Sequence, residues 1–177
     1  MNEIGASYAQ ALFSLADEEK VDDEILQQLE ALDVSFTQEP EFLRLIATPN
    51  LSKADRCQLL DDCFRNKVHP YVLNFLKLLA QKGYARQFGD CVRQYRSIYN
   101  ERHGIASVVA TTAVAMTAEQ KKKMQVKLES ITGKTVQLKT RVEPACMGGV
   151  RLDYEGKRID DTVKNRLDAL RSQLESR

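Results

Sequence analysis

Apolar residues recur at helical spacing through roughly the first hundred residues of the chain. The pattern divides into six short segments, and each repeats apolar side chains at intervals of three or four. The segments begin near Glu3, Asp22, Pro40, Ser52, Pro70 and Ala85. Pro40 and Pro70 suit the first turn of a helix, and Gly83 suits a helix end. Six short helices with brief links predict a compact N-terminal bundle.

The first predicted helix carries two neighbouring apolar stripes instead of one. One stripe consists of Ile4, Tyr8, Ala11, Leu12 and Leu15, and the other consists of Ala9, Phe13 and Ala16. A surface helix needs one stripe for its own core. Two stripes indicate either deep burial or a second helix that packs from outside, and the spacing alone leaves both alternatives open.

The pattern changes at Gly104. Residues 105–114 are rich in Val, Ala and Thr without helical period, which predicts a buried strand. Thr117 and Gln120 form a capping-box signature for a helix that reaches Ile131. From Val136 to Val142, apolar and polar residues alternate as in a strand with one solvated face.

The stretch from Pro144 to Leu170 predicts a turn, a strand and a terminal helix. Gly148-Gly149 precedes Val150, Leu152 and Tyr154, which alternate with charged residues. Glu155-Gly156 supplies a turn, and the next residues, Asp160, Asp161 and Thr162, are candidate caps of the helix. Its apolar positions are Val163, Leu167, Leu170 and Leu174. The predicted class is therefore α+β, with a helical bundle over residues 1–104 and a small β-α-β-β-α domain over residues 105–177.

Charge is distributed unevenly along the chain. Residues 1–104 hold 16 acidic and 12 basic side chains, a net charge of −4, and residues 105–177 hold 9 and 14, a net charge of +5. The first 41 residues contain 11 carboxylates and one cation, Lys20. Such a split suggests two different partners, but charge alone favours the alternative of two solvated faces.

No motif in the chain predicts catalysis, a metal or a cofactor. Gly133-Lys134-Thr135 resembles the end of a phosphate-binding loop, but Leu128 stands where that loop needs glycine. His69 and His103 lack companions at metal-ligand spacing. The four cysteines, Cys57, Cys63, Cys91 and Cys146, form no C-x-x-C pair and are interpreted as reduced thiols.

Two further features bear on partners and location. Three consecutive lysines on a helix, here Lys121–Lys123, would spread around it instead of forming one basic stripe. This arrangement favours a solvated helix face over a nucleic-acid binding site. An RNA- or ribosome-associated α+β protein remains the alternative hypothesis for the basic half. No apolar run reaches the roughly 20 residues of a membrane span. The opening residues Met1-Asn2-Glu3 do not resemble the start of a signal peptide, so a cytosolic chain is expected.

Three motifs resemble the delta subunit of F-type ATP synthases, the oligomycin-sensitivity-conferring protein family. The opening Tyr8-Ala9-x-Ala11-Leu12-Phe13 resembles the start of that family, and Asn74–Leu79 before Gly83 resembles its fifth helix. The closing motif matches at Pro144, Gly148, Gly149, Gly156, Ile159, Asp160, Val163 and Leu167. Asp161 and Thr162 stand where the family usually has Gly and Ser.

The resemblance implies a non-catalytic stator subunit that needs no cofactor. Such a subunit would lie at the cytoplasmic face of the cell membrane and would be attached to the membrane only through the ATP synthase complex. The bundle would hold the N-terminal segments of the alpha subunits, and the second domain would hold the b-type stalk. The residues expected to face the alpha subunits are Tyr8, Ala9, Leu12, Phe13, Ala16, Asn74, Leu78 and Leu79. Those expected to face the stalk are Met147, Val150 and the terminal helix.

Overall fold

The computed structural model describes residues 3–48, 51–154, 157–163 and 165, and within them the chain is a helix-rich α+β protein. It divides into two compact units, Met1–Tyr99 and Asn100–Arg177. The described helices are α1 (Glu3–Glu19), α2 (Asp22–Gln38), α3 (Pro40–Ile46), α4 (Lys53–Phe64), α5 (Pro70–Lys82), α6 (Phe88–Arg102) and α7 (Ala118–Thr132). The described strands are β1 (Ile105–Thr112), β2 (Thr135–Val142), β3 (Val150–Tyr154) and β4 (Lys157–Asp160).

An aromatic cluster packs the helices of the first unit together. Phe36 of α2 lies at its centre, with ring centroids 5.5 Å from Phe42, 6.1 Å from Phe64 and 5.1 Å from Phe88. These rings come from four different helices, so the cluster ties distant segments of sequence into one core. Aromatic pairs at such separations contribute about 0.5–1.5 kcal/mol each beyond their burial.

Arg56 of α4 connects the ends of two other helices. Its guanidinium donates to the carbonyl oxygen of Ala80 at 3.1 Å and to that of Thr48 at 2.8 Å. The Ala80 carbonyl lies in the last turn of α5, where carbonyl groups lack partners four residues further along the helix, and Thr48 follows the end of α3 by two residues. A cation at this place also complements the partial negative charge of each helix end.

The second unit is built on a mixed sheet with the strand order β2-β1-β3-β4. β1 and β2 are parallel and are connected through α7, whereas β1–β3 and β3–β4 are antiparallel. α7 begins with the predicted capping box, in which both reciprocal bonds of Thr117 and Gln120 form. The core of the unit is a small cluster of Ala106, Val108 and Val136, with Leu128, Leu138, Leu152 and Tyr154 packed against it.

The structure corrects two expectations for the second unit. β1 ends at Thr112, two residues before the predicted end, and the Thr112 hydroxyl donates to the Val114 carbonyl at 2.7 Å. β4 was not predicted, because its residues are largely exposed and show no apolar alternation. Thr162 caps the following helix through the Asn165 amide at 3.3 Å. The predicted positions Leu167, Leu170 and Leu174 lie outside the described residues.

Candidate interaction surfaces

A shallow apolar groove runs between α1 and α5 in the first unit and has a volume of about 260 Å³. We call it the α1–α5 groove. It is lined by Tyr8, Ala11, Leu12, Leu15, Tyr71, Asn74, Phe75 and Leu78. Leu15 and Leu78 are 48% and 39% exposed, so this stretch leaves large apolar side chains in contact with solvent. Contiguous exposed apolar surface is typical of a site that binds another chain.

Contacts at its two ends show that α1 and α5 run in opposite directions along the groove. At one end the Tyr71 hydroxyl, near the start of α5, donates to the carboxylate of Glu19, the last residue of α1. This hydrogen bond, followed by burial and by the charges of Glu19 and Glu18, raises the pKa of Tyr71. At the other end the rings of Tyr8 and Tyr84 lie 6.2 Å apart.

The structure separates the eight predicted residues of the first unit into two groups. Tyr8, Leu12, Asn74 and Leu78 line the groove. The others, Ala9, Phe13, Ala16 and Leu79, are absent from its lining and are no more than 5% exposed, whereas Leu12 is equally buried but lines the groove. The Phe13 ring meets Tyr95 of α6 edge-on, with centroids 5.5 Å apart. The second stripe of α1 therefore faces the core of the unit, and the first stripe lines the groove from Tyr8 to Leu15.

Four groove residues were absent from the prediction: Ala11, Leu15, Tyr71 and Phe75. Ala11 and Leu15 belong to the first apolar stripe of α1, so the spacing of that stripe already contained the signal. Tyr71 lies three residues before Asn74 and Phe75 lies three residues before Leu78, so each shares a face of α5 with a predicted groove residue. Knowing which stripe of α1 is internal is enough to find Ala11 and Leu15.

The second unit has a larger apolar groove, of about 660 Å³, which we call the α7 groove. One wall is a stripe of α7 at helical spacing, and the rest comes from the segment after β1, from Gly148-Gly149 and from β3. Its lining is Thr112, Ala113, Val114, Ala115, Met116, Gln120, Lys123, Met124, Lys127, Leu128, Ile131, Gly148, Gly149, Val150 and Leu152. None of the residues of α7 is buried, and Ile131 is 71% exposed.

The two described residues predicted to face the stalk take different positions. Val150 lies in the lining of the α7 groove. Met147 is 70% exposed but does not line the groove, and it has a positive φ of 61° after the 3-10 turn Pro144–Cys146. The terminal helix was the third predicted element. Only Val163 and Asn165 of its residues are described as helical.

The residues that resembled chemical motifs have structural roles. Gly133 ends α7 with a φ of 65°. Its N–H donates to the Glu129 carbonyl at 2.9 Å, so this N–H is used within the helix end and is not a phosphate donor. His69 caps α5, and its Nδ1 accepts from the Tyr71 amide at 3.3 Å. All four cysteines are free, and burial raises the pKa of the Cys91 thiol to about 11.

The described part of the chain holds neither a metal-binding cluster nor a helix able to span a membrane. It contains no group of three or more His, Cys, Asp or Glu side chains arranged to hold a metal ion. Within the same residues, no helix combines the length and the apolar character that crossing a membrane requires.

Comparison with known proteins identifies the family. The family model "ATP synthase delta (OSCP) subunit" matches residues 4–174. The chain is 32% identical to the ATP synthase subunit delta of Alkaliphilus oremlandii, over 97% of this chain and 95% of that protein. It is 30% identical to the subunit of the same name from Clostridioides difficile, over 98% and 97% of the two chains.

A solved structure has the same fold. A chain of the Toxoplasma gondii mitochondrial ATP synthase hexamer matches with a TM-score of 0.77 at 20% identity, over 96% of both chains. The likeness extends over both units, since it covers nearly the whole length. The family match and the full-length relatives together show that the chain belongs to the ATP synthase delta (OSCP) subunit family, whose members are structural, non-catalytic subunits of the peripheral stalk.

Proposed function

We propose that the protein joins the alpha subunits of the catalytic head of an F-type ATP synthase to the b-type peripheral stalk, and that each of its two units holds one partner. The observation that carries this proposal is the presence of a separate apolar groove on each unit of a delta-family chain. A stator must resist the torque of the rotor, which requires binding through a large apolar area. The protein would act on the cytoplasmic face of the membrane and associate with it only through the complex.

The two binding functions are assigned to the two predicted domains. We place the head-binding bundle of six helices at residues 1–104 and the stalk-binding domain at residues 105–177. α6 ends at Arg102 and β1 begins at Ile105, which supports a boundary between them. The comparisons give no support to the alternative of an RNA-associated protein.

The α1–α5 groove is the proposed seat of the N-terminal segment of an alpha subunit. Two antiparallel helices with exposed apolar side chains between them provide the surface into which an amphipathic helix lays its apolar face. Tyr8, Leu12, Asn74 and Leu78 contribute to it as the sequence predicted, together with Leu15 and its neighbours. Asn74 is exposed in the middle of the apolar lining, where its amide is available to a polar group of the partner.

A pair of substitutions tests this seat. The double variant Leu15→Gln, Leu78→Gln should bind a peptide of the alpha-subunit N-terminus about tenfold to a hundredfold more weakly, because each half-exposed leucine contributes on the order of 1 kcal/mol when it is covered. Its thermal unfolding should be nearly unchanged. Isothermal titration calorimetry with the full chain measures the affinity.

The first unit offers a matched control. Val34 of α2 and Leu45 of α3 are 58% and 47% exposed and do not line the groove. The double variant Val34→Gln, Leu45→Gln should bind the peptide with unchanged affinity. Equal losses in the two double variants would exclude the groove as the seat.

The α7 groove is the proposed seat of the b-type stalk. Its apolar lining includes Val150, and Met147 lies shortly before Val150 in the chain with its side chain exposed. The terminal helix remains part of this proposal. Lys123 and Lys127 belong to the lining, so a stalk helix with carboxylates beside its apolar face would complement the groove.

Two positions on α7 test the stalk seat. Ile131 lines the groove, whereas Val126 is 58% exposed on the same helix and does not. Ile131→Asp should weaken binding of a soluble b-type fragment by about tenfold or more, because a carboxylate would lose its hydration in an apolar contact. Val126→Asp should leave the affinity unchanged. Sedimentation velocity of the mixtures would reveal the difference, and similar affinities of the two variants would contradict the assignment.

A further inference from the structure

Three of the four methionines of the chain lie in or next to the α7 groove. Met116 and Met124 line it, and Met147 directly precedes Gly148, another residue of the lining. Met1 lies outside the described residues. Among the described residues that line the groove, only Met116 and Met124 carry sulfur. The proposed stalk seat therefore holds two side chains that react with oxidants.

Met116 and Met124 belong to the wall formed by α7 and the segment before it. Met116 directly precedes Thr117, whose reciprocal capping box with Gln120 fixes the chain direction at the start of α7. Met124 shares a helix face with Leu128, which follows it by four residues and also lines the groove. Both methionines are half-buried, and neither belongs to the buried core of the unit. A dissolved oxidant can therefore reach them while the groove is empty.

A methionine side chain suits a surface that receives another chain. Its three rotatable bonds and polarizable sulfur let it fill irregular gaps between two apolar surfaces. Its thioether is only a weak acceptor, so covering it leaves no strong hydrogen bond unmade. Oxidation to the sulfoxide converts this flexible apolar side chain into a polar one. The change therefore removes the property that makes methionine suitable for the groove.

We propose that Met116 and Met124 are oxidation sites that control whether the α7 groove accepts the b-type stalk. The groove binds the stalk when both side chains are thioethers and binds it much more weakly when they are sulfoxides. This inference rests on the proposed function, since the occupant of the groove is the stalk. Because the stalk would cover both side chains, the unassembled chain is the sensitive form and the assembled protein is protected.

The oxidant is a hydroperoxide, of which hydrogen peroxide is the simplest. The methionine sulfur donates an electron pair to one peroxide oxygen, the O–O bond breaks, and the other oxygen leaves as water with the transferred proton. The sulfur loses two electrons and the peroxide gains them, so no other reactant is needed. A thiol-dependent methionine sulfoxide reductase reverses the change, with the oxygen leaving as water while two thiols form a disulfide.

Two lysines make the sulfoxide costly beneath a bound stalk. Lys123 and Lys127 line the same groove, one residue before and three residues after Met124. A covered sulfoxide oxygen loses its hydrogen bonds to water unless one of these ammonium groups donates to it. The same ammonium groups are proposed to pair with carboxylates of the stalk. In either case the complex loses a polar interaction, and binding should weaken by about tenfold or more.

Peroxide treatment of the full chain tests the proposal. Peptide mass spectrometry follows the addition of one oxygen to each methionine, and sedimentation velocity measures the affinity for a soluble b-type fragment. The chain oxidised at Met116 and Met124 should bind about tenfold or more weakly, with a nearly unchanged thermal unfolding midpoint. A loss of affinity that appears only together with unfolding would overturn the proposal.

Reduction of the oxidised chain distinguishes its methionines from its cysteines. Dithiothreitol reduces disulfides and sulfenic acids of cysteine but leaves methionine sulfoxide unchanged. Methionine sulfoxide reductases for both sulfoxide epimers, supplied with dithiothreitol, should restore the affinity, and dithiothreitol alone should not. Full restoration by dithiothreitol alone would assign the loss to the four cysteines and overturn the proposal.

Leucine variants separate the two groove methionines from the third. Met116→Leu, Met124→Leu removes both groove sulfurs, whereas Met147→Leu removes an exposed sulfur outside the lining. Each variant is compared with itself before and after peroxide, so its starting affinity does not enter the comparison. The double variant should lose no more than about twofold, because a sulfoxide at Met147 remains hydrated, and Met147→Leu should lose as much as the wild-type protein. Equal losses in the two variants would contradict the assignment.

Protection by the stalk adds a measurement that needs no variant. At about ten times its Kd, the b-type fragment leaves about a tenth of the chain free, so oxidation of Met116 and Met124 should slow by about tenfold. An unoxidised chain that does not bind the fragment would defeat the proposed function of the groove together with this inference. If the unoxidised chain binds and the oxidised chain binds equally well, or the bound fragment gives no protection, the inference alone fails and the stalk-binding role of the unit stands.

Discussion

Gly149→Ala is expected to lower the free energy of unfolding of the second unit by about 3–4 kcal/mol. Gly149 has a φ of 78°, and an added Cβ would lie 2.3 Å from the Asp161 carbonyl oxygen and 3.0 Å from the Thr162 Cα. The left-handed conformation costs a non-glycine residue about 1–2 kcal/mol, and an overpacked contact costs about 1–3 kcal/mol more. The obstacle is backbone, so no side chain can rotate away.

The backbone contact at Gly149 explains how the closing motif holds together. Around it the Asp161 amide donates to the Val150 carbonyl and the Val163 amide donates to the Gly148 carbonyl, both at 3.1 Å. The two glycines thus let the segment after β4 lie directly on the chain before β3. A methyl group at Gly149 would separate the two segments and lengthen both hydrogen bonds.

Hydrogen exchange of the full chain, followed by mass spectrometry, measures the loss of protection in peptides from β1 to β4. Gly133→Ala is the matched control, because Gly133 also has a positive φ, 65°, but an added Cβ would meet nothing within 4 Å. The control should lose only the conformational cost of about 1–2 kcal/mol. If both variants lose the same amount, the close approach at Gly149 is not what requires glycine there.

Phe13→Asp is expected to destabilise the first unit by at least about 4 kcal/mol. Phe13 is 5% exposed and its ring packs edge-on against Tyr95, which is completely buried. Truncating a buried phenylalanine costs about 3–5 kcal/mol, and a carboxylate in the same place adds the cost of burying a charge without a partner. Loss of this magnitude approaches the whole stability of many small domains.

Urea unfolding followed by far-UV circular dichroism tests this expectation on the full chain. Leu15→Asp is the control on the same helix, two residues further along, where the side chain is 48% exposed. It should change the unfolding midpoint only slightly. A Phe13→Asp variant as stable as the control would place Phe13 outside the core and return it to the candidate partner-facing residues.

Local signals accounted for most of the secondary structure. Ser52, near which the fourth helical segment was predicted to begin, accepts from the Asp55 amide, and Gly83 ends α5 with a φ of 77°. Such features depend on a few neighbouring residues, so a sequence displays them without knowledge of the fold. β4 was missed because its place in the sheet comes from pairing with β3, and its own residues contain no pattern that marks a strand.

The candidate sites required more than local signals. The sequence alone indicated that α1 has two apolar stripes, that the chain changes from helices to a β-α-β-β-α pattern after Gly104, and that its motifs resemble the delta family. The fold decided which stripe is core, because α6 places Tyr95 against Phe13 while α5 leaves a groove beside Leu15. It also brought Glu19 to Tyr71, residues far apart in sequence, and thereby joined the end of α1 to the start of α5. Spacing along a helix specifies which side chains share a face, but only the packing of other helices determines what that face meets.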